Sequence, residues 1–270
     1  MSKDIKTVLL CPPDYYQIEY EINPWMDIKN KVDQQKVKSE YKNLKDIYRK
    51  LDLEVQEIDA QPGLPDMVYA ANHGFVIDDI FIKSNFRFQQ RRKEADWAEK
   101  YFKEKGFKIK KIPEGIYFEG QGDMFYRDGK FFCGWGKRTS KEALKYIEKI
   151  VGEKVISFEV NDPYYYHLDT CFAPLGDGKV VINPSSFSNE DVEKIKKNFK
   201  KVILAQKADM PFMCCNILSR DHTVITGRGV GKDVKSELLK VGYEIFETQM
   251  EEYFKGGGSV KCLTLEYFRS

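Results

Sequence analysis

Excess charge is the first thing this sequence lacks. Its 270 residues carry 44 Lys and Arg against 42 Asp and Glu, so no strong field points to nucleic acid. Long apolar runs are also missing, and none approaches the roughly 20 residues that span a bilayer. The opening stretch, MSKDIKTVLLCPPDYY, has neither the long apolar stretch nor the small-residue cleavage site of a signal peptide. These absences predict a cytoplasmic protein with no membrane or nucleic-acid partner. Cysteine is sparse, at six, and no two stand as CxxC, which argues against a structural zinc site. A disulfide framework suits small secreted chains, not one of this length and character. Most of the six, including the adjacent Cys214 and Cys215, read as small buried apolar side chains. Histidine is rarer still, at three.

What is present is a repeated theme. The run MVYAANHGFVIDDIFIKSNF reads as two strands about a turn near Asp78-Asp79. A helix is expected over about 90–105, with Trp97, Tyr101 and Phe102 at helical spacing, then a strand in FKIKKIP. The order recurs with a hairpin about Asp128-Gly129, a helix in SKEALKYIEKIVG capped by Thr139 or Ser140, and a strand in KVISFEV. A third unit turns at Gly176-Asp177-Gly178, continues into a helix from about Ser188 and ends in KKVILAQ. A fourth comprises CNILSRDHTVITGR, a helix over about 232–241 and YEIFET. The fifth is split between the termini: VKCLTLEYF closes the chain, and TVLLCPP, a helix over about 31–51 and EVQEID complete it. Units of about 45–50 residues suggest repeats stacked or arranged about an axis. Each unit contains a helix, which excludes a pure β-propeller. The expected architecture is α/β, built from five pseudo-symmetric ββαβ units in one domain over 1–270, with the innermost strands lining a central channel.

Polar residues interrupt the apolar segments at matching places near the hairpin entrances. They are Asp66 and Asn72, Glu119 and Asp123, His167 and Asp169, and Cys262, which follows the glycine run at 256–258. In a ring such places converge on the axis. A thiol near an imidazole can serve as nucleophile and acid/base pair. Paired carboxylates suit a planar guanidinium group. Each residue also has a plainer reading. His167 stands beside three tyrosines as a bonded core histidine would, Asp66 follows proline as a turn-former would, and EGQG suits backbone freedom. His73 and His222 receive no catalytic role.

At these residues the sequence resembles the pentein, or guanidino-group-modifying, superfamily. That superfamily includes arginine deiminases, dimethylarginine dimethylaminohydrolases and amidinotransferases. Among its members the chain is most similar to arginine dihydrolases, found elsewhere as the N-terminal part of longer bifunctional proteins. The shared elements are INPWM at 22–26, PDMVYAAN at 65–72, FEGQGD at 118–123, YHLDTCFAPL at 166–175 and GGSVKCLTL at 257–265. The resemblance spans nearly the whole chain and implies the pentein fold, a five-bladed αβ-propeller. By position it implies Cys262 as nucleophile, His167 as general acid/base, Glu119 as the residue orienting His167, and Asp169 as the guanidinium holder. It implies that Asn23 shapes the substrate site and that Arg91 and Arg138 bind the substrate carboxylate. Asp66 and Asp123 lie in shared motifs. The second reaction of the longer proteins is not expected from these 270 residues.

Asn72 is the informative departure, because the deiminase pattern has aspartate there and the dihydrolase pattern has asparagine. The implied chemistry is attack by Cys262 on the guanidinium carbon of arginine, with loss of ammonia to a leaving nitrogen protonated by His167. An amidino-thioether intermediate is then opened by water. A deiminase stops at citrulline, whereas a dihydrolase continues to ornithine, a second ammonia and carbon dioxide. An ionised aspartate only accepts hydrogen bonds and would oppose the ureido oxygen of citrulline. An asparagine amide could donate to that oxygen while accepting from an NH2 group. The expected partner is a small guanidino substrate, with no metal and no organic cofactor; a homo-oligomer is left open. Alternatives are an arginine deiminase, a dimethylarginine dimethylaminohydrolase, an amidinotransferase, and a non-catalytic binding protein.

Overall fold

The structure is a computed structural model that describes residues 4–206 and 213–269. Five units repeat the same order of inner strand, middle strand, helix and outer strand. The first contains β3 (Gly74–Ile77), β4 (Ile80–Lys83), α2 (Arg92–Glu104) and β5 (Lys108–Lys111). The second contains β6 (Met124–Arg127), β7 (Lys130–Gly136), α3 (Ala143–Val151) and β8 (Val155–Val160). The third contains β9 (Phe172–Gly176), β10 (Lys179–Ile182), α4 (Asn189–Asn198) and β11 (Lys201–Leu204). The fourth contains β12 (Leu218–Arg220), β13 (Thr223–Gly227), α5 (Lys232–Lys240) and β14 (Glu244–Thr248). The fifth joins the chain ends: β15 (Leu265–Arg269) pairs with β1 (Asp4–Leu10), followed by α1 (Gln34–Lys50) and β2 (Glu54–Glu57). In every unit the inner and middle strands run antiparallel and the middle and outer strands run parallel.

The units close into a ring. β6 touches β9 and β9 touches β12, while β15 pairs in parallel with β3 through Tyr267 and Phe268 opposite Val76 and Ile77. That last pairing fuses two units into one six-stranded sheet ordered β2-β1-β15-β3-β4-β5. The fold is α/β and built from five units in the strand-strand-helix-strand order that the sequence pattern predicts.

Local chemistry explains the repeat. All four continuous hairpins have two-residue loops, and Asp78, Asp128, Asp177 and Asp221 take the first loop position with φ of 50–53°. Aspartate tolerates this left-handed backbone better than most residues. Helix α1 begins at Asp33, whose carboxylate accepts from the Gln35 and Lys36 amides, and it buries Val37, Tyr41, Leu44 and Tyr48 along one face. Helix α4 is capped in the same way by Ser188.

Three expectations need correction. Much of the first predicted strand, from Met67 to His73, is instead helical turns over Pro65–Val68 and Ala70–His73. Cys262 likewise lies on a one-turn helix, α7 (Val260–Leu263), which follows another one-turn helix, α6 (Glu251–Phe254), and not on the strand after it. Helix α3 has no side-chain cap, because tertiary contacts take both hydroxyls: Thr139 donates to Asp123 at 2.7 Å, and Ser140 accepts from the Tyr117 amide at 3.0 Å. Of the aromatic residues assigned to α2, Phe102 is in the core but Trp97 is 39% exposed.

Phe102 stacks on Phe81 at 4.0 Å between ring centroids and also meets Phe107 and Tyr267, tying α2 to both parts of the fused sheet. Phe102→Ala should therefore destabilise the protein by about 3–5 kcal/mol. Urea unfolding followed by circular dichroism measures this, and a loss below about 1 kcal/mol would show that the contact is not structural.

Candidate active site

A short helical turn precedes each inner strand, and together these turns carry the site residues toward the axis. Those ahead of β3, β6 and β9 are Ala70–His73, Gly120–Gly122 and Leu168–Thr170. A turn at 213–215 precedes β12, and α7 precedes β15. They bring in Asn72, Glu119 and Asp123, His167 and Asp169, Asn216, and Cys262. All seven side chains are buried.

Cys262 Sγ donates to Asp169 Oδ2 at 3.2 Å. Asn216 clamps the cysteine from both sides: its Nδ2 donates to Sγ at 2.9 Å, and its Oδ1 accepts from the Cys262 amide at 3.0 Å. Burial pushes the thiol well above its ordinary value, and the Asp169 carboxylate pushes it further. Asp169 is itself raised to about 7 by burial, and its Oδ1 is buried without a hydrogen-bond partner. An unpaired buried carboxylate oxygen beside a thiol is costly to stability and suits a cationic ligand.

His167 Nε2 lies 2.7 Å from Glu119 Oε2, which also accepts from Arg138 Nη1 at 3.0 Å. The other Glu119 oxygen accepts from the Arg87 amide at 3.1 Å. Burial alone would raise Glu119, but Arg138 and His167 hold it below the ordinary carboxylate range. Arg138 is sandwiched between the Phe88 and Tyr166 rings and also donates to the Ile22 carbonyl at 2.9 Å. Asp123 accepts from Thr139 and, at 2.9 Å, from the Leu168 amide, so it fixes the turn carrying His167 and Asp169.

Arg91 forks onto Glu94 at 2.7–3.1 Å and donates to Asn72 Oδ1 at 2.8 Å and to the Asp66 carbonyl at 3.1 Å. Because arginine only donates, it fixes which way the Asn72 amide faces. Asn72 Nδ2 is buried with no partner. One expectation changes here: Arg91 already occupies the Asn72 oxygen, so the donor half of the amide is what remains. Asp66 Oδ2 lies 4.0 Å from Arg91 Nε, and Asp66 Oδ1 has no partner.

Two glycines permit this packing. A Cβ on Gly122 would lie 2.2 Å from Asn72 Nδ2 and 3.2 Å from the His167 ring. Gly257 has φ of 88°, and a Cβ there would lie 2.7 Å from Asn23 Oδ1 and 2.9 Å from the Tyr166 hydroxyl. Asn23 in turn donates to the Gly256 carbonyl at 3.0 Å and buttresses the loop leading into α7.

Of the sequence-predicted residues, the structure joins Cys262 to Asp169, His167 to Glu119 and Arg138, and Asn72 to Arg91. Asn216 was missed. Its signal was position: CCN precedes the fourth inner strand as AAN precedes the first. Among the described residues, no group of three or more His, Cys, Asp or Glu is placed to hold a metal ion.

The profile of a family described as N,N dimethylarginine dimethylhydrolase, eukaryotic, matches residues 17–269. The chain belongs to that family. It is 34% identical over 271 residues to the bifunctional arginine dihydrolase/ornithine cyclodeaminase ArgZ of Synechocystis, covering 98% of this chain and 38% of ArgZ. The match thus spans little more than a third of that relative. It is also 34% identical over 258 residues to the N(G),N(G)-dimethylarginine dimethylaminohydrolase of Mycobacterium tuberculosis, covering 95% of this chain and 84% of that protein. The crystal structure of the N-terminal domain of ArgZ bound to product superimposes with a TM-score of 0.94 at 32% identity, covering 98% of each chain.

The raised Asp169 carboxyl makes a prediction about stability. Its folded value of about 7 exceeds the ordinary value of about 3.9, so the folded state holds a proton that the unfolded chain has released. Stability therefore falls as pH rises between these values. Asp169→Asn should melt roughly 10 °C above the parent at pH 8, with the gap closing towards pH 4, because the amide carries no buried charge. Scanning calorimetry across this range measures it, and a pH-independent gap would contradict the assignment.

Proposed function

We propose that the protein hydrolyses the guanidino group of L-arginine to ornithine, carbon dioxide and two ammonia molecules, with Cys262 as the nucleophile. The observation that carries this reading is the orientation of Asn72: Arg91 occupies its oxygen and leaves a buried donor without a partner. The similarity to ArgZ supports the same choice of reaction. We place it in a reducing cytoplasm, where its six free cysteines suit the redox conditions, and treat the 270 residues as one catalytic unit. No helix among the described residues is long and apolar enough to cross a membrane.

The proposal assigns each residue a step. The guanidinium is held by Asp169, whose unpartnered oxygen is the natural acceptor. Its positive charge beside the thiol favours the thiolate, offsetting the burial that otherwise keeps Cys262 protonated. Asn216 Nδ2 donates to sulfur and stabilises the anion. The thiolate attacks the guanidinium carbon, and His167, oriented by Glu119, protonates the departing nitrogen, which leaves as ammonia. Water, deprotonated by His167, adds to the same carbon and expels the thiolate, giving a bound ureido group. Asn72 Nδ2 donates to its oxygen, so the group stays for a second attack by Cys262. The second ammonia leaves, and hydrolysis of the resulting S-carbamoyl group releases carbon dioxide and ornithine. Arg138 and Arg91 support Glu119 and Asn72; recognition of the substrate carboxylate is assigned to these two arginines, and shaping of the substrate site to Asn23.

The family profile and the mycobacterial relative favour a second reading, in which a methylated arginine is the substrate and one amine is released. Product analysis separates the two. Incubation with arginine should yield about two ammonia per ornithine, with little free citrulline. In Asn72→Asp the ureido oxygen faces a carboxylate, a mismatch of roughly 1–3 kcal/mol. Citrulline should then rise about tenfold or more relative to ornithine. Citrulline alone from the parent protein would overturn the dihydrolase reading. Turnover of N,N-dimethylarginine without turnover of arginine would establish the second.

A further inference from the structure

Each inner strand runs from a turn that carries site residues to a hairpin loop, so the loops lie at the opposite end of these strands. Between the loops is a cavity of about 330 Å³, and none of its lining residues belongs to the candidate active site. Four of the five units line it. Lys6 comes from β1, Arg127 from the end of β6, Gly176 from the end of β9 and Arg220 from the end of β12. His222, in the fourth hairpin loop, adds an imidazole. The steps proposed above use none of these residues.

Three of the lining side chains are cations, and Arg127 is the most buried of them. Its Nε is buried with no hydrogen-bond partner, and its Nη2 lies 3.3 Å from Glu266 Oε1. Glu266 is itself 1% exposed, and its other oxygen lies 3.1 Å from Lys261 Nζ. The remaining partners of Lys261 are neutral: Gln121 Oε1 and the Thr264 carbonyl, each at 3.1 Å. Two buried cations therefore divide one carboxylate. A guanidinium compensated only in part, with one buried donor left unmade, is costly until an anion completes it.

The hairpin aspartates are committed elsewhere. Asp128 accepts from the Asp177 and Gly178 amides at 3.2 and 2.7 Å. Asp177 pairs with Lys179 at 3.3 Å, and Asp221 lies 3.6 Å from Arg220 Nε. Among the described residues, Glu266 is the one carboxylate paired with Arg127.

We propose that this cavity is a binding site for a small multivalent oxyanion, phosphate or carboxylate. Arg127 holds it from the strand side, and Lys6, Arg220 and His222 hold it from the rim. Donors converge from three units, which suits an anion with oxygens on several sides. The volume stands at the lower end of the roughly 300–1,000 Å³ typical of ligand pockets, which suits a small ion.

Calorimetric titration of the protein with inorganic phosphate, pyrophosphate and succinate, each separately and at low ionic strength, tests this. At least one should bind with a millimolar Kd or tighter and raise the melting temperature. The phosphates and succinate separate the two oxygen chemistries. Lys6→Gln and Arg127→Gln should each weaken binding about tenfold. Lys6 is exposed, so its variant decides the matter should Arg127→Gln fail to fold. Arg138→Gln reports on anions held at the candidate active site and should leave the affinity unchanged. No binding of any of the three anions would overturn the proposal. So would binding undiminished in either folded variant, or binding lost in a folded Arg138→Gln protein.

Discussion

Asp169 is a carboxylate buried at the axis with one oxygen bonded to a thiol and the other bonded to nothing. Left to relax, such a group would take a proton, turn to water or draw in a neighbouring donor. The frame prevents the last two, while burial favours the first. The Asp169 turn is held from the second unit by Asp123, Asn216 of the fourth unit donates to the Asp169 backbone carbonyl at 3.2 Å, and the fifth unit supplies the thiol. Three other units therefore converge on Asp169 and the turn that carries it. The apolar side chains gather in separate clusters, while the polar groups of the site ride on short turns ahead of the inner strands.

The same frame separates two electrostatic regimes. On one side, Glu119 is overcompensated by Arg138 and His167 and stays ionised. On the other, Asp169 and Cys262 are undercompensated and hold their protons until positive charge arrives. On the proposed reading that asymmetry distributes the roles: the ionised carboxylate fixes an imidazole and the unsatisfied one receives a guanidinium. Substrate binding and nucleophile activation then become one event. Asn72 belongs to neither regime, and its neutral amide is aimed by an arginine that cannot accept.

Much of this was legible in the sequence. The hairpin loops announced themselves through Asp78-Asp79, Asp128-Gly129 and Asp177-Gly178, because few residues accept the left-handed backbone these tight turns require. Cys262, His167, Glu119 and Asn72 stood out as polar residues at matching points of a repeat. The helical turns ahead of the inner strands did not, since three or four residues are too few to show a period. Asn216 was hidden by two apolar neighbours that made CCN read as core. The hydroxyls of Thr139 and Ser140 read as a helix cap, but contacts distant in sequence claimed them. Most lysines and glutamates are solvated, so nothing in the sequence marks Lys261 and Glu266 as the buried pair that the fold makes of them.

The account stands or falls on a covalent bond between Cys262 and the guanidino carbon. Rapid acid quench of the protein with arginine, followed by peptide mass spectrometry, tests this most directly. The account predicts an adduct equal to arginine less one ammonia, confined to the peptide containing Cys262 and absent from those containing Cys171, Cys214 and Cys215. Turnover of arginine with no adduct on any cysteine, or with the adduct on another one, would contradict it.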